Sequence, residues 1–284
     1  MSSAGTGAAL GLSAAAVWGG ADFAGGLAAR RAPSLLVVAV AHGLSLLVLL
    51  ALLPLTHESW PGLAPMLIPL LGGVAGGLGL VLFYYALSLG AMGLTATVTG
   101  LATACIPVAF GFATEGFPRP IQLAGFLMAA IALWLITSTQ TASKIERIPL
   151  LLGLGSGACF SLMMISLKIG AATHGVVWTL SAARLGSVLL TSSLLLSKLR
   201  SKALAAPESG WFLLSVWAGA LDTFGNLLFT LATKAGRLDM ASILSSLYPA
   251  GTILLAALLL HERPTRRQWA GISLAMAAVV LVTA

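Results

Sequence analysis

Charge is what this sequence lacks most. Only 8% of its 284 residues are Asp, Glu, Lys or Arg, against roughly a quarter in a soluble domain. Fifteen basic and eight acidic side chains cannot coat a globule of this size. That excludes a soluble enzyme, a nucleic-acid-binding module and a disordered chain. The net charge of +7 does not reopen a nucleic-acid reading. The Lys and Arg residues fall in short gaps between apolar runs, as membrane-flanking charges do. Cysteine is nearly absent. Cys105 and Cys159 sit inside apolar runs with no CxxC spacing, so neither a disulfide framework nor a zinc site follows. They read as small packing residues. Walker A, HExxH and GxSxG motifs are missing too, so the chain is read as a non-enzyme with no cofactor and no metal. No Lys or Arg precedes the first apolar run. That run is therefore expected to stay in the bilayer as a span, not to leave as a signal peptide.

What the sequence has is hydrophobicity: 58% apolar residues and a mean hydropathy of +1.01. A bilayer core of about 30 Å takes about 20 helical residues. Ten stretches meet that length: 8–29, 34–56, 63–89, 94–114, 121–139, 150–167, 176–197, 211–233, 240–260 and 265–284. Connections such as Arg30-Arg31-Ala32-Pro33 and Trp60-Pro61-Gly62 are short and rich in turn residues. Barrel strands would instead alternate in segments of about ten residues. The expected fold is an all-α integral membrane protein of ten transmembrane helices. Trp60, Trp211 and Trp269 mark span ends, whereas Trp134 and Trp217 lie deeper. Gly72, Gly73, Gly76, Gly77 and Gly79 crowd the third span, where small residues let helix backbones approach.

The two halves repeat. Residues 70–138 lie over 216–284 without a gap, matching Phe83 to Phe229, Gly90 to Gly236, Pro118 to Pro264, Gln122 to Gln268 and Thr137 to Thr283. The first two spans lie over the sixth and seventh, placing Trp18 on Phe160, Asp22 on Met164 and His42 on Arg184. The repeats are 1–141 and 142–284, with five spans each. Five is odd, so the second repeat starts from the opposite side of the membrane and the halves are inverted. Alternating-access carriers share that architecture, with the solute site near the midplane between the repeats.

Particular residues then carry a resemblance. The first span holds Trp18-Gly19. The fourth-to-fifth turn runs from Glu115 through Pro118 and Gln122 to Gly125. The ninth-to-tenth region holds Tyr248-Pro249, then Glu262, Gln268 and Gly271. The chain resembles the EamA-type family of the drug/metabolite transporter superfamily, including its ten-span YddG-like amino-acid exporters. The first half departs from the motif at two points. Thr103 stands where Pro249 stands, and Glu115 falls one place early relative to Glu262. The resemblance implies a transporter of amino acids, other metabolites or drugs in the cytoplasmic (inner) membrane.

Ionisable groups at membrane depth are costly and face a cavity or a partner. Asp22, Arg184 and Asp222 are the strong cases, with His42 a weaker one. Two readings of Arg184 and Asp222 stand side by side. One is an ion pair fixing the seventh span to the eighth. In the other, Arg184 receives a solute carboxylate through its two-pronged guanidinium, while Asp222 and Asp22 receive an ammonium group. The expected partner is then a small zwitterion, with the lipid bilayer around it and no nucleic acid. Asp22 and His42 are also candidates for proton coupling. Trp18, Tyr84 and Asn226 are the further candidates for solute contact. Ser245 shares a helix face with Ser242 and Ser246, and Tyr248 follows. These hydroxyls either line a cavity or bond back to their own helix.

Loop Lys and Arg residues, including Arg30, Arg31, Lys144, Lys198, Lys202 and Arg263, favour the odd loops, which places both termini outside the cytoplasm. The resembled family holds its termini inside, and that arrangement is preferred here. The expected function is export of amino acids, aromatic ones among them, or similar metabolites by a secondary transporter. A multidrug exporter is the alternative within the superfamily. A membrane scaffold or an intramembrane enzyme is the alternative outside it.

Overall fold

The computed structural model describes residues 3–89, 92–137, 147–173, 175–201, 205–259 and 264–283. Gly90, Lys144, Lys202, Glu262, Arg263 and the expected boundary at 141/142 lie outside the described residues. Among the described residues there are α-helices and no strands. In chain order these are α1 (Ser3–Ala29), α2 (Ser34–Thr56), α3 (Leu63–Ser88), α4 (Met92–Glu115), α5 (Pro120–Thr137), α6 (Arg147–Thr173), α7 (Val176–Arg200), α8 (Trp211–Ala235), α9 (Leu238–Ser245), α10 (Tyr248–Leu259) and α11 (Arg266–Thr283).

Eight helical segments are long and apolar enough to cross a membrane, with α9 and α10 counted together as Leu238–Leu259. The first and last expected spans are helical but are not among those eight. The compositions give the reason. α1 is rich in Ala and Gly and carries Asp22, while α11 opens on Arg266-Arg267-Gln268. α1 packs against α8, α9, α10 and α3. A helix wrapped by protein does not need the large apolar side chains that lipid contact favours. Lipid-type side chains lie elsewhere. Leu71, Leu127, Leu151 and Leu189 are exposed on the bundle's outside. So are Trp134 and Trp217, at 52% and 58%.

The packing of the first five helices against the rest is reciprocal. α1 packs on α8 as α6 packs on α3, and α3 packs on α7 as α8 packs on α2. α4 packs on α6 as α9 and α10 pack on α1. Three further pairs join the halves: α2 with α7, α4 with α9, and α5 with α11. Glycines set the closest crossings. A side chain at Gly73 would overlap the Ala183 carbonyl, and one at Gly186 would overlap the Leu70 carbonyl, so α3 and α7 meet backbone to backbone. Gly219 plays that part against Ala41 where α8 crosses α2.

The repeated Gln is a cap. Gln122 Oε1 accepts the Arg119 backbone N–H at 3.1 Å, and Gln268 Oε1 accepts the Thr265 N–H at 2.8 Å. Thr265 Oγ1 accepts the Gln268 N–H in return, completing a reciprocal capping box. Three residues beyond each Gln, Gly125 faces Val282 and Gly271 faces Ile136 where α5 crosses α11. This family-like motif thus has a structural use in both halves. Gln268→Ala should cost about 1 kcal/mol, as a lost N-terminal cap does. Thermal unfolding in detergent would show it, and an unchanged midpoint would refute the cap.

The expected ninth span is two helices. α9 ends at Ser245 and α10 starts at Tyr248. Pro249 has no N–H to give the Ser245 carbonyl four residues back, which breaks the ladder here. α4, where Thr103 aligns with Pro249, runs unbroken with Pro107 inside it.

Candidate functional site

Trp18 and Asp22 are four residues apart on α1, and Asp222 and Asn226 are four apart on α8, so each pair shares a helix face. α1 and α8 close on one another because Gly225 leaves room for the Trp18 indole, which a side chain there would strike. Trp18 also lies 5.7 Å from Phe229, ring centre to ring centre.

One polar cluster holds α2, α7 and α8 together. Arg184 Nη2 donates to Asp222 Oδ2 at 2.5 Å, and Arg184 Nη1 donates to His42 Nε2 at 2.9 Å. His42 Nδ1 lies 2.5 Å from Ser187 Oγ. His42 Nε2 also lies 3.3 Å from Asp222 Oδ2, so the imidazole bridges Ser187, Arg184 and the Asp222 carboxylate. Asn226 Nδ2 donates to both the Asp222 carbonyl at 2.8 Å and Asp222 Oδ2 at 3.2 Å. Gly77 leaves the space that the Ser187 hydroxyl fills. The ion-pair reading of Arg184 and Asp222 thus describes their geometry, with His42 as a third member. A cavity of about 10 Å³ adjoins Arg184, His42, Ser187 and Asn226.

A second cavity, of about 40 Å³, lies beside this cluster. α1 contributes Trp18 and Asp22, and α4 contributes Thr103. Phe160, Met163 and Met164 come from α6, Asp222 from α8, and Tyr248 from the helix break before α10. Among the described residues, no hydrogen bond or ion pair is made by the Asp22 carboxylate. Trp18 Nε1, Thr103 Oγ1 and Tyr248 OH are buried with no partner.

The expected site residues therefore divide. Trp18, Asp22, Asp222 and Tyr248 come together around one cavity, whereas His42, Arg184 and Asn226 line the neighbouring one. Tyr84 lines neither. It is buried with Val37, Val38 and Phe83, its ring over Gly25. Ser245 Oγ bonds back to the Ser242 carbonyl at 3.2 Å and also lines neither. Thr103, Phe160, Met163 and Met164 were not anticipated. The expected repeat carried a signal for two of them. Phe160 and Met164 occupy the positions of Trp18 and Asp22 in the other half, and all four border one cavity. His42 and Arg184, likewise equivalent, touch directly.

A further ionic cluster sits at one end of the bundle. Glu115 pairs with Lys168 and accepts the Leu238 N–H at 3.0 Å at the start of α9. Arg237 donates to Asp239 at 2.7 Å and to the carbonyls of Glu115 and Gly116. The hydrogen bond to Asp239 pushes the Arg237 pKa up. At the same end, Glu58 accepts the N–H groups of Val177 and Trp178 at the start of α7. Carboxylates suit both helix starts, where backbone donors lack partners. Among the described residues no three His, Cys, Asp or Glu are grouped to hold a metal ion.

Residues 147–284 match the sequence model of the EamA-like transporter family. No curated protein matches the chain. A crystal structure of a protein superposes on 98% of this chain and 96% of its own with a TM-score of 0.78. Its sequence identity is 16%, so the likeness is one of fold.

Proposed function

We propose that the EamA-like character of residues 147–284 extends to the whole chain, and that it works as a ten-span secondary transporter. In this reading 1–141 and 142–284 are inverted five-span repeats. The transporter exports amino acids or similar small metabolites across the cytoplasmic membrane by alternating access. The observation that carries the reading is the polar cavity. Its walls come from both halves, Trp18, Asp22 and Thr103 from the first and Asp222 and Tyr248 from the second. Carriers built from inverted repeats place their solute site in such a position, often beside a broken helix. The break at Ser245–Tyr248 and the paired packing of the halves support the same reading. Equivalent residues meet only near an axis relating two repeats, and His42 meets Arg184. At about 40 Å³ the cavity holds a few waters, so a whole metabolite is admitted by parting α1 from α6 and α8. Asp22 is the candidate for proton coupling. His42, held between Arg184 and Ser187, is set aside from that role.

Purified protein in liposomes should move labelled amino acids or related metabolites down a gradient, saturably and above protein-free liposomes. Absence of flux for every amino acid and amine offered would defeat the transport reading. Reporter fusions at the two ends should report one compartment, since ten crossings bring the chain back to its starting side. Opposite compartments would rule out an even span count. An exporter of apolar cations is the second reading, favoured by the carboxylate of Asp22, which has no cationic partner among the described residues.

A further inference from the structure

We infer that Asp22 seats a protonated amine of the solute, and that the solute needs no carboxylate to be recognised. This rests on the transport reading above and names its substrate class. Four features of the larger cavity support it. Asp22 borders the cavity and has neither hydrogen bond nor ion pair among the described residues. A carboxylate at membrane depth without a cation is costly, and an ammonium group removes that cost. Trp18, Thr103 and Tyr248 also line this cavity, are 7%, 1% and 6% exposed, and each carries a buried polar atom with no partner. The Thr103 and Tyr248 hydroxyls can accept, as Asp22 does, matching the three donors of a primary ammonium. The Trp18 N–H can only donate, so it is not part of the ammonium seat.

Charge decides against a carboxylate in this seat. Asp222 is the other carboxylate lining it, so an anionic group there would face two acids. Arg184 does not line this cavity. Its guanidinium is turned to Asp222 and His42, so a solute carboxylate would have to displace Asp222 to reach it. The remaining walls are Phe160, Met163 and Met164. With the Trp18 ring they offer polarisable surface to a cation and to the carbon skeleton behind it. The cavity volume of about 40 Å³ suits an ammonium head in place of water.

Matched probes test the inference: tyramine against tyrosine, and tryptamine against tryptophan. Each pair shares a ring and an amine and differs in the carboxylate. Equilibrium binding to the purified full chain, and counterflow in liposomes, should favour the amines by at least tenfold. Asp22→Asn should weaken amine binding at least tenfold without lowering the thermal unfolding midpoint, since the substitution removes no ion pair. Asp22→Glu should recover part of the affinity. Equal or tighter binding of the amino acids would overturn the inference while leaving transport intact. Undiminished amine binding by Asp22→Asn would also overturn it, leaving Asp22 a hydrated carboxylate. If neither class binds nor moves, the transport reading falls and the inference with it.

Discussion

Asp222→Ala should destabilise the folded protein by about 3–5 kcal/mol, as removing one partner of a buried ion pair does. The Arg184 side chain is 5% exposed and that of Asp222 is 16% exposed, so water cannot replace the lost partner fully. Removing Asp222 leaves Arg184 with His42 as its remaining partner and deprives Asn226 of a side-chain acceptor. Arg184→Ala should be similarly harmful, because Asp222 would keep the Asn226 amide and the His42 ring beside it but lose its fixed cation. The double replacement Arg184→Met with Asp222→Leu should be less damaging than either single change, since no buried charge is left alone. Thermal unfolding in detergent and the monodisperse yield after size exclusion measure this. If both single variants unfold with the wild type, the cluster is not what joins α7 to α8. If they also transport normally, neither residue belongs to the solute site.

Gly73→Ala should cost about 3 kcal/mol, at the upper end for overpacking. The added methyl would coincide with the Ala183 carbonyl, and its carbon and Cα lie almost as near. Backbone cannot change rotamer, so α3 and α7 must separate. That movement also pulls Gly77 from Ser187, and Ser187 from His42. Gly43→Ala is the control. No atom lies within 4 Å of a side chain placed there, so the gain in helix propensity should show alone, about 0.5–1 kcal/mol of stabilisation. Equal behaviour of the two variants in unfolding assays would mean that the α3–α7 crossing is looser than described.

Much of the helical plan was legible in the residues themselves. Runs near 20 apolar residues announce membrane helices because bilayer thickness acts on each segment separately. The ninth stretch was read as one helix although Pro249 lies inside it. Propensity alone did not say that the break at Ser245–Tyr248 would open there. The first and last stretches are not among the eight apolar spans because α1 faces protein and α11 begins with charge. The Arg184–Asp222 pair was legible, since adjacent spans carried opposite charges at similar depth. That His42 would complete it and Asp22 would stand apart was not. Tyr84 and Ser245 looked suitable by residue type, yet one is packed over Gly25 and the other is bonded to its own helix.

By itself the sequence determined membrane residence and the helical class. Each of these depends on composition or on neighbours a few positions along the chain. The tertiary structure alone decided which polar side chains meet. Depth along a helix can be counted from residue number, but the direction a side chain faces in a bundle depends on how helices cross. Those crossings are set by backbone contacts at Gly73, Gly186 and Gly219 and by the Trp18 ring seated on Gly225, between segments far apart in the chain. They bring Arg184 to Asp222 and leave the Asp22 carboxylate facing a cavity.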